Sequence, residues 1–284
     1  MKLFPDELHE YIREMLITPL EKDVDALSVD DRLLVFIQMK VAETECETNK
    51  RAYPENPHYI DLMTELGGDV QRLRDIDDFR NSLTHLMKYA EYIKNMKYLR
   101  RWNRLNRAVE TSVMSHTFTV ASFAVITARL EVGYAPGTLP EDFTYRAIVR
   151  ALFHDVAEAF TGDVITPVKQ RLKKLARKEW REIEIRRLDP FMAAAPVELQ
   201  SDIRDMYLLD ELHKDDEDVV GKLVKDCDRL SLLLECVFER SAGGTYGETE
   251  EAYDVYARRL LSSEFRSIRE ITLHGLFPRG KGRR

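Results

Sequence analysis

Cysteine is scarce in this chain: Cys46, Cys227 and Cys236 are too few and too scattered for a disulfide framework or a cysteine-rich zinc site. Glycine and proline are thin as well, at 12 and 10 of 284 residues. So few turn formers argue against extended sheet and for helices. No run approaches 18 uncharged apolar residues. The best, Val113 to Leu130, is interrupted by His116 and Arg129, so no membrane span is expected. The first sixteen residues are acidic and amphipathic and lack the basic-then-apolar order of a secretory leader. A cytoplasmic protein is the expectation. An overall excess of positive charge is missing too: 50 acidic residues outnumber 43 basic ones, for a formal net charge of −7. That total counts against a nucleic-acid or membrane-surface binder. What is present, 44% hydrophobic and 33% charged residues, suffices for a real core in one large domain or two small ones.

Helical punctuation recurs along the chain. Ser28-Val29-Asp30-Asp31 reads as a capping box with Asp in the acidic position, ahead of Leu33, Leu34, Phe36, Ile37 and Val41 at helical spacing. The loop Ala52 to Pro57 ends that element, and Gly67-Gly68-Asp69 is expected to start the next. Further helices are predicted over Val113 to Leu130, Phe143 to Phe160, Val168 to Leu188, from near Val197, Asp218 to Arg240 and Glu248 to Ser262. No period-two run is convincing. The basic tail from Arg279 to Arg284 is expected to be flexible.

The chemistry concentrates in Phe153-His154-Asp155-Val156-Ala157-Glu158, inside an otherwise apolar stretch. On a continuous helix His154 and Glu158 share a face, while Asp155 points about 100° away. Adjacent His and Asp side chains can grip one divalent ion, and Glu158 could then act on a water at its open side. His116 opens one apolar helix and Asp228 lies in another. A carboxylate in such surroundings is costly unless it is paired or coordinates a metal.

The order His116, His154-Asp155, Asp228 resembles the HD-domain metal-dependent phosphohydrolases and, more narrowly, the YfbR-like 5'-deoxynucleotidases. Arg101-Trp102, Thr161-Gly162-Asp163, Thr166 to Lys169 and Leu223-Val224-Lys225 carry the narrower likeness, which spans roughly Leu86 to Tyr256. The resemblance implies an all-α helical bundle, often a homodimer. It implies one divalent transition metal (Mn, Co, Fe, Ni or Zn) on His116, His154, Asp155 and Asp228. Glu158 and Asp163 would be the catalytic acids, and Arg101 and Trp102 would contact the phosphate and help to select a deoxyribose. The reaction implied is removal of phosphate from (deoxy)nucleoside 5'-monophosphates by a water that the metal activates.

The residue chemistry agrees. Two imidazoles and two carboxylates leave coordination positions open, and phosphoryl transfer calls for cationic groups near the phosphate oxygens. Lys97 to Arg107 holds five basic residues and no acidic one. Arg101 and Arg104 would share a face if this stretch is helical, and Lys169 is a further candidate for the phosphate. Trp102 could stack on a base or sugar, although a lone Trp is more often core. Ser115 stands where relatives commonly carry an acid before the ligand His, and could alter hydrogen bonding to that imidazole.

The expected organisation is an N-terminal helical extension packed on the core (residues 1–85), an HD domain (86–275) and a basic tail (276–284). The first fifty residues hold 12 acidic and 6 basic side chains, whereas Lys97–Arg107 and Lys169–Arg187 are basic. An anionic chain can therefore still present a cationic pocket. Two other functions remain open from sequence: cleavage of a nucleoside triphosphate or other nucleotide by the same metal site, and a non-catalytic nucleotide sensor. Lys169–Arg187 and the acidic run Asp215–Asp218 are read as solvated helix and helix start, not as a nucleic-acid or second metal site.

Overall fold

The computed structural model describes residues 6–22, 26–74, 93–103, 105, 107–162, 218–244 and 247–276, with isolated positions at 171, 182, 186, 189, 192, 193 and 200. Among these residues the chain is helical, and its one extended feature is an isolated antiparallel bridge between Arg100 and Ser112. Two compact units form, Met1–Met87 and Lys88–Arg284.

The first unit contains α1 (Asp6–Leu16), the single turn α2 (Thr18–Glu21), α3 (Val29–Ala52) and α4 (His58–Arg74). Ser28 caps α3 as its sequence predicts, its hydroxyl accepting the Asp31 N–H at 3.1 Å. Leu27, Val35, Phe36 and Cys46 are buried in this unit. After Tyr53 the Pro54–Pro57 loop reverses the chain, the Asn56 side chain accepts the His58 N–H at 3.1 Å, and α4 packs along α3. Gly67 and Gly68 do not start a helix here. They lie inside α4, where a glycine costs stability relative to alanine without ending a helix whose start and packing are otherwise set.

The second unit is built on α5 (Val113–Tyr134), α6 (Phe143–Phe153), the turn α7 (Glu158–Thr161), α8 (Val219–Ser241), α9 (Gly247–Leu261) and α10 (Arg266–Ile271). A π-type turn, Thr272–Leu276, follows α10. Helix α8 is central and packs on α5, α6 and α9. Its buried stripe Leu223, Cys227, Leu230 and Leu233 meets Val120 and Ala124 of α5, Phe143 and Ala147 of α6, and Leu260 and Ile268 near the C-terminus. Each such large side chain contributes about 1.5–3 kcal/mol when fully buried. Close approaches are made at Gly221, where any Cβ would fall 2.8 Å from the Arg150 guanidinium, which pairs with the α8 cap Asp218. By length and composition α5 is apolar enough to cross a membrane, but half of its most apolar window is buried inside this bundle.

Two departures from sequence expectation shape the site. The predicted helix Phe143–Phe160 breaks at His154, where the imidazole Nδ1 lies 2.6 Å from the Ala151 carbonyl oxygen. That carbonyl would otherwise accept the Asp155 N–H of a continuing helix. The chain tightens instead through Val156 N–H to Phe153 O and Glu158 N–H to Asp155 O, at 3.1 and 2.9 Å. His154 and Glu158 therefore do not lie on one continuous helix. The second departure is at the basic segment. After a 3₁₀ turn at Lys94–Lys97 the chain enters the bridge, with Arg101 N–H to Thr111 O and Val113 N–H to Leu99 O both at 2.9 Å. Arg101 and Trp102 thus sit on a turn rather than a helix, and Trp102 takes φ +55°, a left-handed conformation that a bulky residue seldom adopts.

The bridge fastens this turn to the start of α5, which Ser112 and Ser115 cap reciprocally. The Ser112 hydroxyl accepts the Ser115 N–H at 3.1 Å, and the Ser115 hydroxyl accepts the Ser112 N–H at 3.0 Å. Ser115 is exposed, and the partners of its hydroxyl are the cap residue's own groups. Ser112→Ala is expected to lower stability by about 1 kcal/mol, read from urea denaturation.

Candidate active site

Three elements of the second unit converge. His116 comes from the first turn of α5, His154 and Asp155 from the break after α6, and Asp228 from the middle of α8. The ligand atoms of His116, His154 and Asp228 all lie within 4.8 Å of one another. Asp155 Oδ2 is 3.7 Å from His116 Nε2 and 3.2 Å from His154 Nε2, while Asp228 Oδ1 is 3.0 Å from His116 Nε2. The two imidazole centroids are 5.5 Å apart. Exposure rises across the cluster, from 0% for the His116 side chain through 13% and 15% for His154 and Asp155 to 43% for Asp228, so the site opens on the Asp228 side.

The imidazoles are oriented from behind. His116 Nδ1 faces Glu235 Oε1 at 3.1 Å and the Ser231 hydroxyl at 3.0 Å; a carboxylate can only accept, so Nδ1 carries the proton. His154 Nδ1 donates likewise to the Ala151 carbonyl. Both Nε2 atoms are buried and face carboxylates, His116 towards Asp228 and Asp155 and His154 towards Asp155. Once their protons are displaced, these two nitrogens beside two carboxylates suit a divalent ion with a mixed nitrogen and oxygen shell. Burial works against the His154 imidazolium, but Asp155 outweighs it and pushes the pKa up to about 9. For His116 burial also pulls down, and Asp228 and Glu235 raise the pKa above the usual histidine value. The carboxylate field that favours a proton here favours a metal cation in the same place.

Arg101 borders this cluster, 15% exposed, with Nε 3.2 Å from Glu235 Oε1 and Nη1 3.7 Å from Asp155 Oδ2. Burial lowers its pKa, but Glu235, Asp155, Asp228 and Glu158 together more than offset this, so its charge is fixed. Trp102 packs against the core, donates its indole N–H to Glu235 Oε2 at 2.6 Å, and lies under the Arg107 guanidinium at 5.4 Å. Glu158 is buried at the first position of α7, whose C-terminus turns through Gly162 at φ +76°, where the missing Cβ avoids a left-handed penalty. Asp163, Arg104 and Lys169, along with most of Lys169–Arg187 and the Asp215–Glu217 run, lie outside the described residues.

Sequence reading missed Glu235, Glu239 and Arg107. Glu235 falls seven residues after Asp228, two helical turns along the same face of α8, and that spacing was the available signal. One turn further, the fully buried Glu239 accepts the Ala108 and Val109 N–H groups at 2.9 and 3.1 Å and pairs with Arg107 at 3.3 Å. Burial raises the Glu239 pKa, but those hydrogen bonds and the guanidinium hold it below the usual carboxylate value. Its stabilisation is therefore complete above the unfolded-state pKa of about 4.3 and is lost as pH falls through the lower folded value. Glu239→Gln would place an amide donor against backbone donors and is expected to cost about 1–3 kcal/mol at pH 7. Urea denaturation should show the gap between wild type and variant closing as the pH is taken below the carboxylate range.

Comparison with known proteins gives the class first. Residues 88–272 match the family of YfbR-like 5'-deoxynucleotidases, and this chain belongs to that family. A 5'-deoxynucleotidase of Yersinia pestis is 32% identical over 155 residues, covering 55% of this chain and 75% of that protein. One from Vibrio cholerae is 29% identical over 177 residues, covering 62% and 87%. The fold is similar to an HD-domain phosphohydrolase of Listeria innocua, with TM-score 0.54 and 24% identity over 67% of this chain and 87% of that one.

Proposed function

We propose that this chain is a metal-dependent phosphohydrolase that removes phosphate from deoxynucleoside 5'-monophosphates. The observation that carries the chemistry is the convergence of the buried Nε2 atoms of His116 and His154 on the carboxylates of Asp155 and Asp228. The substrate class follows from membership of a family whose relatives bear that name.

In this reading His116, His154, Asp155 and Asp228 hold one divalent transition metal. When bound, it polarises the phosphoryl group and makes water more acidic. Glu158 takes a proton as water oxygen bonds to phosphorus, the bond from phosphorus to the 5'-oxygen breaks, and Asp163 supplies a proton to the leaving oxygen. Arg101, whose charge is fixed, offsets charge on the phosphoryl oxygens, with Arg104 and Lys169 as further cationic contacts. Trp102 bounds the sugar. Residues 1–85 are an added helical extension, residues 86–275 the catalytic domain and 276–284 a basic tail. A cytoplasmic homodimer is the assembly and setting that the family likeness favours.

Phosphate release should be measured over ribo- and deoxynucleoside mono- and triphosphates with Mn, Co, Zn, Ni and Mg in turn. Release from deoxynucleoside monophosphates with a transition metal is expected. Preference for triphosphates would reassign the substrate, and release from no nucleotide would favour a sensor.

A further inference from the structure

Glu235 touches both halves of the site from behind, where Asp155 does so from the front. Its Oε1 accepts the His116 Nδ1–H at 3.1 Å and pairs with Arg101 Nε at 3.2 Å. Its Oε2 accepts the Trp102 indole N–H at 2.6 Å and faces Arg107 Nη1 at 3.6 Å. The side chain is 6% exposed, so these contacts are made away from water, where an unpaired partner would be costly. Arg107 also donates to the Glu235 backbone carbonyl at 3.0 Å, so side chain and main chain are gripped together.

We propose that Glu235 is a positioning residue that couples the metal-holding imidazole of His116 to the substrate-facing turn at Arg101 and Trp102. Metal affinity and discrimination between deoxyribose and ribose are then set by one buried carboxylate. The physical basis is shared geometry. A carboxylate behind a ligand imidazole fixes its ring and its tautomer, and the same two oxygens accept the indole N–H and hold the Arg101 guanidinium by charge. Ser231, the other group near His116 Nδ1, touches that imidazole at 3.0 Å. Trp102 is held in a left-handed backbone conformation, and its hydrogen bond to Glu235 helps to keep it there. The proposal rests on the nucleotidase reading above.

The test uses the full-length protein and two readouts. Cobalt(II) affinity is measured by competition with a chromophoric chelator, and kcat/KM is measured for matched deoxy and ribo 5'-monophosphates. Glu235→Gln should weaken cobalt binding by about 10–100-fold. The same variant should bring the deoxy-to-ribo ratio of kcat/KM toward one. Glu235→Asp keeps the charge but is one methylene short of spanning its partners, and should fall between. Glu239→Gln, which removes the neighbouring buried carboxylate, should lower stability and leave cobalt affinity and the sugar ratio as in wild type. Wild-type cobalt affinity and sugar ratio in Glu235→Gln overturn the proposal. Should that variant not fold, wild-type values in Glu235→Asp do the same. Failure of the wild-type protein itself to bind cobalt overturns the nucleotidase reading instead.

Discussion

Asp155→Ala is expected to lower phosphate release by at least about a thousandfold, since the metal contributes several kcal/mol and each 1.36 kcal/mol is a tenfold change in rate. Asp155 lies within 3.7 Å of both Nε2 atoms and of the Arg101 guanidinium. Its removal takes away a proposed ligand and unbalances the charge around the remaining ones. Helical content should survive, because Asp155 sits in the break after α6 and outside the apolar core of α5, α6 and α8. Circular dichroism, metal content and initial rate on one preparation check the prediction. Wild-type turnover in Asp155→Ala would remove the metal-site assignment.

Glu158→Ala is expected to separate rate from metal binding. A positioned general acid or base contributes about 10²–10⁴-fold, and that is the expected loss in kcat. Metal content should stay at the wild-type level, because the imidazoles and carboxylates that face one another do so without Glu158. Loss of metal in this variant would make Glu158 a ligand. The comparison of the two variants is informative because both residues lie within four positions of His154 on one irregular turn.

The site was legible in the chain wherever one residue announced itself against its surroundings. His116, His154-Asp155 and Asp228 are polar side chains in apolar stretches, and their order led to the expectation of one site, where the structure brings them together. Ser28 and Asp218 lie at the N-caps of α3 and α8, beside the helix starts expected there. What was not legible depended on side chains replacing backbone partners or on distant segments meeting. Nothing in the periodicity of Phe143–Phe160 shows that the helix ends at Phe153 with His154 turned onto the carbonyl of Ala151. Gly67 and Gly68 resemble punctuation locally, yet packing of α4 on α3 carries the helix through them. Glu235 and Glu239 read along α8 as ordinary polar positions. Only the return of the Arg101–Val109 segment against that helix makes them buried hubs. The short α10 was missed because six residues are too few to show helical periodicity.

These observations also refine the role of charge. The chain is acidic overall, and the described site is itself rich in carboxylates: Asp155, Asp228, Glu158 and Glu235 all act on Arg101, and Glu235 also faces Arg107. The described part of the site thus favours a cation over an anion. Phosphate recognition is expected to depend on that cation together with Arg101, which is a more specific basis than a general basic surface.

The central claim is tested most directly by stripping the full-length protein with a chelator, returning one divalent transition metal in steps, and recording bound metal and phosphate release from a deoxynucleoside 5'-monophosphate on the same sample. Activity should be absent in the stripped protein, rise in proportion to bound metal and saturate at one ion per chain. Full activity in the stripped protein, or metal bound to saturation with no phosphate released from any nucleotide, would contradict it.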